Sequence, residues 1–204
     1  MQPTRNLPTG YRRIGRMDIL NDTRLLVKMN LWGTVLFFVF AVVFALLLQM
    51  LRPADAPRTL SLTLETWGGL LGLTAAVIGT TILMILLHEG THGLFFWLYT
   101  RTRPVFTFRI YYASANAPGW YLPRRQFLVT TLAPFVLISA AGTALMAAAP
   151  GVWLPPLLML LVFNASGSIG DLMVALWLLR QPETCMAYDE GYAVSLFLEQ
   201  GGPD

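Results

Sequence analysis

The chain has 204 residues, of which 55% are hydrophobic and only 12% are charged. A soluble domain usually has about 25% charged residues, so this composition excludes an ordinary soluble protein and indicates several membrane-spanning segments. The net charge is +3, but the basic residues flank hydrophobic segments as the positive-inside rule describes, so nucleic acid is not an expected partner.

Four hydrophobic segments are long enough to cross a bilayer, for which about 20 residues are needed. They cover about residues 29–51, 67–99, 127–149 and 152–179. The expected fold class is therefore an all-α polytopic membrane protein. Its four-helix domain would occupy residues 29–182, between a basic N-terminal tail at residues 1–28 and an acidic C-terminal tail at residues 183–204. The first segment is too long for a signal peptide, so it is interpreted as an anchor.

Lysine and arginine are distributed unevenly between these segments. The N-terminal tail has six of them and the segment at residues 101–125 has five, whereas the first loop has two and the third loop has none. Because cytoplasmic segments carry the excess of basic residues, both termini and the middle segment are expected in the cytoplasm, at the surface of a lipid bilayer.

The segment between the second and third spans has the pattern of a strand. Aromatic and aliphatic residues alternate with their neighbours from Val105 to Tyr112, a period of two that is typical of β-structure. The letters ANAPG then predict a turn, and WYL predicts a short returning strand. We expect either a β-hairpin over about residues 103–123, whose edge can pair with an extended peptide, or an interfacial loop anchored by aromatic residues. The apolar run at residues 192–198 is compatible with a strand or with an interfacial helix.

The second span contains three polar residues in the letters HEGTH, residues 88–92. His88 and His92 are the only histidines of the chain, and their spacing of four places both on one face of a helix, where they can share a metal ion. Glu89 is adjacent and can reach water beside that metal. The H-E-x-x-H spacing favours a zinc site with one ion per chain. The alternative is a polar patch that binds a neighbouring helix or lines a pore.

A catalytic zinc ion usually has three protein ligands, and the chain has no third histidine to offer. Cys185, the only cysteine, lies beyond the fourth span, and a single cysteine also excludes a disulfide framework. Asp171 and Glu89 are the only acidic residues within the four spans, so Asp171 is the best third ligand by elimination. At about 1.5 Å per residue, Asp171 and the histidine pair lie roughly 12–14 Å from the cytoplasmic helix ends. The alternative for Asp171 is a helix-terminus or ion-pair role.

Asn164 lies seven residues before Asp171 and therefore shares its helix face. Its carboxamide can contact a substrate or stabilise an oxyanion, or it can form an ordinary hydrogen bond between helices. Zinc lowers the pKa of the water that it binds to about 7, and Glu89 can accept the proton as a general base. The residues therefore predict peptide-bond hydrolysis, for which the substrate has to present an unwound segment.

The combination of HEGTH in one span and Asp171 within NASGSIGD two spans later resembles the site-2-protease-like intramembrane zinc metalloproteases. The small size, RPVFTFRIYYAS after the first pattern and QFLVTTLAPF at the start of the third span are most similar to a bacterial family of zincin membrane peptidases. The resemblance covers about residues 80–175. It implies an endopeptidase of the bacterial cytoplasmic membrane that cuts membrane proteins or peptides within or near the bilayer. His88, His92 and Asp171 would then be the zinc ligands and Glu89 the catalytic base.

Two other functions are compatible with the sequence. A zinc-binding membrane protein without proteolytic activity, such as a sensor or an ion-handling protein, has no need for Glu89. A structural membrane subunit would use the polar residues only to hold helices together. Glu89 is therefore the residue that separates a peptidase from a binding protein.

Overall fold

Helices account for most of the fold, as the sequence predicts. The computed structural model describes residues 1–53, 67–109 and 112–199 of the chain. Arg58 of the first loop, Ile110 and Tyr111 of the strand pattern, and residues 200–204 of the C-terminal tail lie outside the described residues. The helices are α1 (Thr23–Leu51), α2 (Trp67–Thr100), α3 (Arg124–Ala133), α4 (Ser139–Ala148), α5 (Leu154–Gly167) and α6 (Ile169–Leu179).

The first helix begins earlier than hydropathy predicts because Asp22 caps it. The Asp22 side chain accepts hydrogen bonds from the backbone N–H groups of Arg24 and Leu25, two donors that have no partner within the helix. Large hydrophobic side chains are exposed along α1 and α2, such as Phe38 at 64% and Leu71 at 67%. An extended apolar surface of this kind is suited to contact with lipid.

Among the described residues, three helices are long and apolar enough to cross a membrane: Thr23–Leu51, Gly69–Thr100 and the continuous helix Arg124–Ala148 that contains α3 and α4. The fourth predicted span is a bent pair, in which Gly151–Gly167 and Ile169–Leu179 meet at 41°. It is a fourth crossing if the pair forms one span. The bend lies at Ser168, whose hydroxyl group donates a hydrogen bond to the Asn164 carbonyl oxygen at 2.8 Å.

The described residues also form two small antiparallel sheets. The smaller one is a hairpin after the second span, as one of the two alternatives predicted, and the larger one corrects the expected all-α class. The strands are β1 (Tyr11–Asp18), β2 (Val105–Arg109), β3 (Tyr112–Asn116), β4 (Tyr121–Pro123), β5 (Met186–Asp189) and β6 (Ala193–Glu199). β2 pairs with β3, and the other four strands form a sheet in the order β1-β6-β5-β4. Of the two alternatives for the apolar run near the C-terminus, the structure shows the strand, β6. Hydropathy did not reveal the larger sheet because its strands come from both ends of the chain and from a three-residue segment between them.

The four-stranded sheet lies at one end of the helices. β1 precedes α1, β4 stands between α2 and α3, and β5 and β6 follow α6. Both ends of the described chain and the segment between α2 and α3 are therefore on the same side of the helical region. The core beneath the sheet joins the two regions, since Phe96, Phe127, Leu178 and Leu196 are all at most 2% exposed.

A hairpin is present after α2, but its turn is not where the sequence analysis placed it. β2 and β3 pair in the register Val105↔Asn116 to Arg109↔Tyr112, so the hairpin is much shorter than residues 103–123. The segment ANAPG begins with the last two residues of β3 and so does not close the hairpin. The strand expected at WYL is β4, which pairs with β5. A period of two continues through both strands of a tight hairpin, so it does not indicate where the chain turns.

Candidate metal centre

The middle of α2 brings His88, Glu89 and His92 together. The helix turns once between the two histidines, so their rings lie side by side with centroids 4.9 Å apart. Glu89 and His92 are each only 8% exposed. Buried polar side chains need hydrogen-bond or charged partners, and α3, α5 and α6 provide them here.

Asp171 lies in the first turn of α6, directly after the bend at Ser168. Its Oδ2 atom is 3.1 Å from Nε2 of His88, and its Oδ1 atom is 3.4 Å from Nε2 of His92. One ligand atom from each of the three residues lies within 4.8 Å of the others. The two histidines and the aspartate that the sequence analysis selected therefore converge at one point.

The outer nitrogen atoms of both imidazole rings face hydrogen-bond acceptors. Nδ1 of His88 is 3.1 Å from Oδ1 of Asn164, and Nδ1 of His92 is 2.9 Å from the carbonyl oxygen of Thr130. Each Nδ1 must therefore carry the proton and donate it, which in a neutral ring leaves the lone pair on Nε2. Histidine ligands of metal ions are usually oriented in this way.

The inner side of the centre is suited to a cation. Two Nε2 lone pairs and a carboxylate group point at one another, and such acceptors repel unless a positive charge lies between them. Ligands about 2.1 Å from a tetrahedral zinc ion lie roughly 3.4 Å from one another, which agrees with the 3.1 and 3.4 Å between Asp171 and the two histidines. The donor set of two imidazoles and one carboxylate also leaves room for a fourth ligand, as in catalytic zinc sites.

Pro134 explains why both outer acceptors are available. In an α-helix the Thr130 carbonyl would accept from the backbone N–H four residues later, but residue 134 is a proline and has no N–H. His92 donates to that carbonyl oxygen instead. The helix continues over Pro134–Ile138 with wider π-helical turns, and the Pro134 carbonyl oxygen accepts a hydrogen bond from Nδ2 of Asn164 at 3.2 Å. Pro134 thus leaves the Thr130 carbonyl free for His92 and holds the Asn164 amide that faces His88.

Asn164 is completely buried, with 0% exposure. Its amide oxygen faces His88 and its amide nitrogen donates to Pro134, so the carboxamide is not open to a substrate. The sequence analysis considered two roles for Asn164, a substrate contact and a hydrogen bond between helices. The observed contacts are of the second kind, and one of the partners is His88 of the metal centre. The roles of Thr130 and Pro134 were not recognised, although a proline within the third hydrophobic segment is itself a signal of a freed carbonyl group.

Glu89 connects the helices to the hairpin. The backbone of Ala115 in β3 lies near the Glu89 carboxylate, and both residues line the same cavity. Gly93, one turn further along α2, allows the hairpin to approach, since a methyl group there would lie 2.5 Å from the ring of Phe106 in β2. Gly93 is therefore a point of close packing between α2 and the hairpin.

A cavity of about 180 Å³ lies between the histidines and the strands. His88, Glu89, His92 and Asp171 line its helical side, and residues of β3, β5 and the turn between β5 and β6 line the opposite side. Asp189, the last residue of β5, is among them. The sequence analysis missed Asp189 because only strand pairing brings the C-terminal segment next to α2.

Comparison with family models gives one match, over residues 81–186, to a family described as "Putative zincin peptidase". The matched region is just over half of the chain, and it extends from α2 to the beginning of β5, including all four side chains of the centre. Neither the curated proteins nor the solved structures give a match. The convergent histidines, the aspartate and the adjacent glutamate agree with this family match, and the chain belongs to the zincin-like peptidase family.

Proposed function

We propose that the protein is an intramembrane zinc metalloendopeptidase in which His88, His92 and Asp171 hold one zinc ion. The observation that carries the proposal is the convergence of the three ligand atoms within 4.8 Å, beside a buried glutamate. The family to which the chain belongs supports zinc and peptidase chemistry. The orientation of both imidazole rings by outer acceptors supports the assignment of the ligands.

Glu89 is the general base of this proposal. Bound zinc would polarise the peptide carbonyl group and lower the pKa of water to about 7. The Glu89 carboxylate accepts the proton of the attacking water and then donates it to the leaving nitrogen atom. The Glu89 carboxylate lines the same cavity as both histidines, where the attacking water would be bound. Asn164 and Thr130 act as positioning residues that fix the two imidazole rings.

The outer edge of β3 is suited to hold the substrate. Ala115 lies near Glu89, and both Ala115 and Ala113, two residues earlier, line the cavity of the metal centre. Because alternate residues of a strand direct their backbone groups to the same side, this edge can pair with an extended peptide. A paired peptide would place its backbone beside the metal centre, and only an unwound segment can pair in this way.

A groove supports the proposal that substrates come from the membrane. It is lined by polar and apolar residues of α1, α2 and α5, among them Asn30, Thr34 and Thr81. Met29, Ala113 and Gly167 line both this groove and the cavity of the metal centre. A membrane-embedded peptide segment can therefore reach the centre from the side. The excess of basic residues near the four-stranded sheet supports a cytoplasmic position for the sheet and for both termini.

Glu89→Gln tests the mechanism. The amide has the same size but cannot accept a proton, so we expect the cleavage of a membrane-protein substrate to fall about 10³-fold while zinc stays bound. Glu183→Gln is the matched control, since Glu183 is an exposed carboxylate whose partner is Arg125 at the surface. Cleavage by Glu89→Gln at the wild-type rate would exclude this mechanism, and zinc binding without cleavage by the wild type would favour a non-proteolytic zinc protein.

A further inference from the structure

The carboxylate of Asp189 lies in the wall of the cavity, and no lysine or arginine of the described residues pairs with it. Its Oδ1 atom accepts a hydrogen bond from the backbone N–H of Gly191 at 2.7 Å, and Asn116 binds its backbone carbonyl oxygen at 3.3 Å. Burial raises the pKa of the Asp189 carboxyl group to about 7. The ionised form of a carboxylate that is largely removed from water is costly unless a cation joins it.

Ser114 gives a second, independent observation. It belongs to β3, is only 9% exposed and lines the same cavity, and its hydroxyl group has no hydrogen-bond partner among the described residues. The hydroxyl lies close to Gly191, where an added methyl group would be 2.9 Å from it. The side chains of Ser114 and Asp189 therefore both lie beside Gly191, at the turn between β5 and β6. Both accept hydrogen bonds, which an ammonium group can donate.

We propose that Asp189 and Ser114 form a subsite that binds an ammonium group of the substrate beside the metal centre. The inference rests on the proposed peptidase function, because the cavity that contains the subsite is the one that contains Glu89. It adds a preference for lysine, or for a free amino terminus, next to the bond that is cut. A structural role for Asp189 in the turn needs only an acceptor oxygen, so the negative charge is the property that distinguishes the two roles.

Asp189→Asn separates these roles because asparagine keeps the acceptor for Gly191 and removes the charge. The probes are N-acetyl-lysyl hydroxamate and N-acetyl-norleucyl hydroxamate, which differ only in the ammonium group, together with norleucyl hydroxamate that has a free amino group. Binding is measured by calorimetry on the zinc-loaded protein in detergent. Glu183→Gln is the control for loss of a carboxylate outside the cavity.

We expect wild-type protein and Glu183→Gln to bind an ammonium probe at least tenfold more tightly than N-acetyl-norleucyl hydroxamate, as a charged hydrogen bond of about 1.5–3 kcal/mol would give. In Asp189→Asn the difference should fall to about twofold or less. Preference for the lysyl probe assigns the subsite to a side chain, and preference for the free norleucyl probe assigns it to an amino terminus. Equal binding of all probes by the wild type, no binding of any probe, or an unchanged preference in Asp189→Asn would overturn the proposal.

Cleavage is a separate measurement in this experiment. If the protein prefers an ammonium probe but cleaves no peptide, the subsite is supported and the proposed peptidase function is excluded. If the protein cleaves peptides through Glu89 but binds all probes equally, only the subsite is excluded.

Discussion

The two sides of the cavity are built in different ways. The helical side comes from α2 and α6 and contains two histidines and two carboxylates that can hold a metal and move a proton. The other side comes from β3 and β5 and offers a strand edge, a hydroxyl and one carboxylate. The chemistry of the proposed reaction is thus assigned to helices, and the recognition of the substrate is assigned to strands.

Because the two sides are built from different elements, mutations can alter metal binding and substrate binding separately. The helical groups are held by hydrogen bonds between helices, through Asn164, Thr130 and Pro134. The strand side packs on the helices, above all through β3 on α2, but the three converging ligand atoms all belong to α2 and α6. Substitutions on the helical side should therefore alter metal binding, and substitutions on the strand side should alter substrate binding and rate with the metal retained.

Pro134→Ala should have the largest effect among changes outside the centre itself. Alanine restores an N–H that competes with His92 for the Thr130 carbonyl, so we expect the affinity for zinc to fall about 10- to 100-fold. The metal-free protein should become more stable, because a helix gains a hydrogen bond and loses a proline. Competition with a fluorescent zinc chelator and thermal unfolding measure the two effects.

Pro155→Ala is the control for Pro134→Ala. Pro155 lies at the beginning of α5, where the missing N–H would have no helical partner. We expect its zinc affinity to stay at the wild-type value. An unchanged zinc affinity in Pro134→Ala would show that the freed carbonyl does not orient His92.

Gly93→Ala should have a smaller effect, confined to the strand side. The added methyl group would lie 2.5 Å from the ring of Phe106, so the hairpin has to move away from α2. The outer edge of β3 would then move away from the metal centre. We expect about a tenfold lower rate of cleavage with one zinc ion still bound, as such displacements are costly for catalysis. Gly90→Ala is the matched control, because nothing lies within 4 Å of a methyl group there. A normal rate in Gly93→Ala, or a loss of zinc, would contradict the separation of the two sides.

The same contrast explains what the sequence could predict. His88, Glu89 and His92 were found because a spacing of four residues is local in a helix, and Asp171 was found because acidic residues are rare in hydrophobic segments. The predominantly helical fold was predicted on the same basis and is confirmed. Asp189 was not found because its position depends on the pairing of β5 with β4 and β6, which joins distant parts of the chain.

Two further features were outside the reach of local patterns. β1 pairs with β6, from Tyr11↔Glu199 to Asp18↔Ala193, partners that are 188 and 175 residues apart. Nothing in a basic N-terminal segment indicates so distant a partner. The hydrogen bonds of Asn164 depend on how α5 packs against α2 and on the carbonyl of Pro134. Helix packing of this kind selects one of the two roles that the sequence left open for Asn164.

Metal analysis of the purified protein tests the central proposal most directly. We expect one zinc ion per chain in the wild type and in Asp189→Asn, and a loss of zinc in His88→Ala and Asp171→Ala. This result would assign the ligands to the helical side and leave the strand side to the substrate. A wild-type protein without stoichiometric zinc, or full zinc content in His88→Ala and Asp171→Ala, would contradict the account.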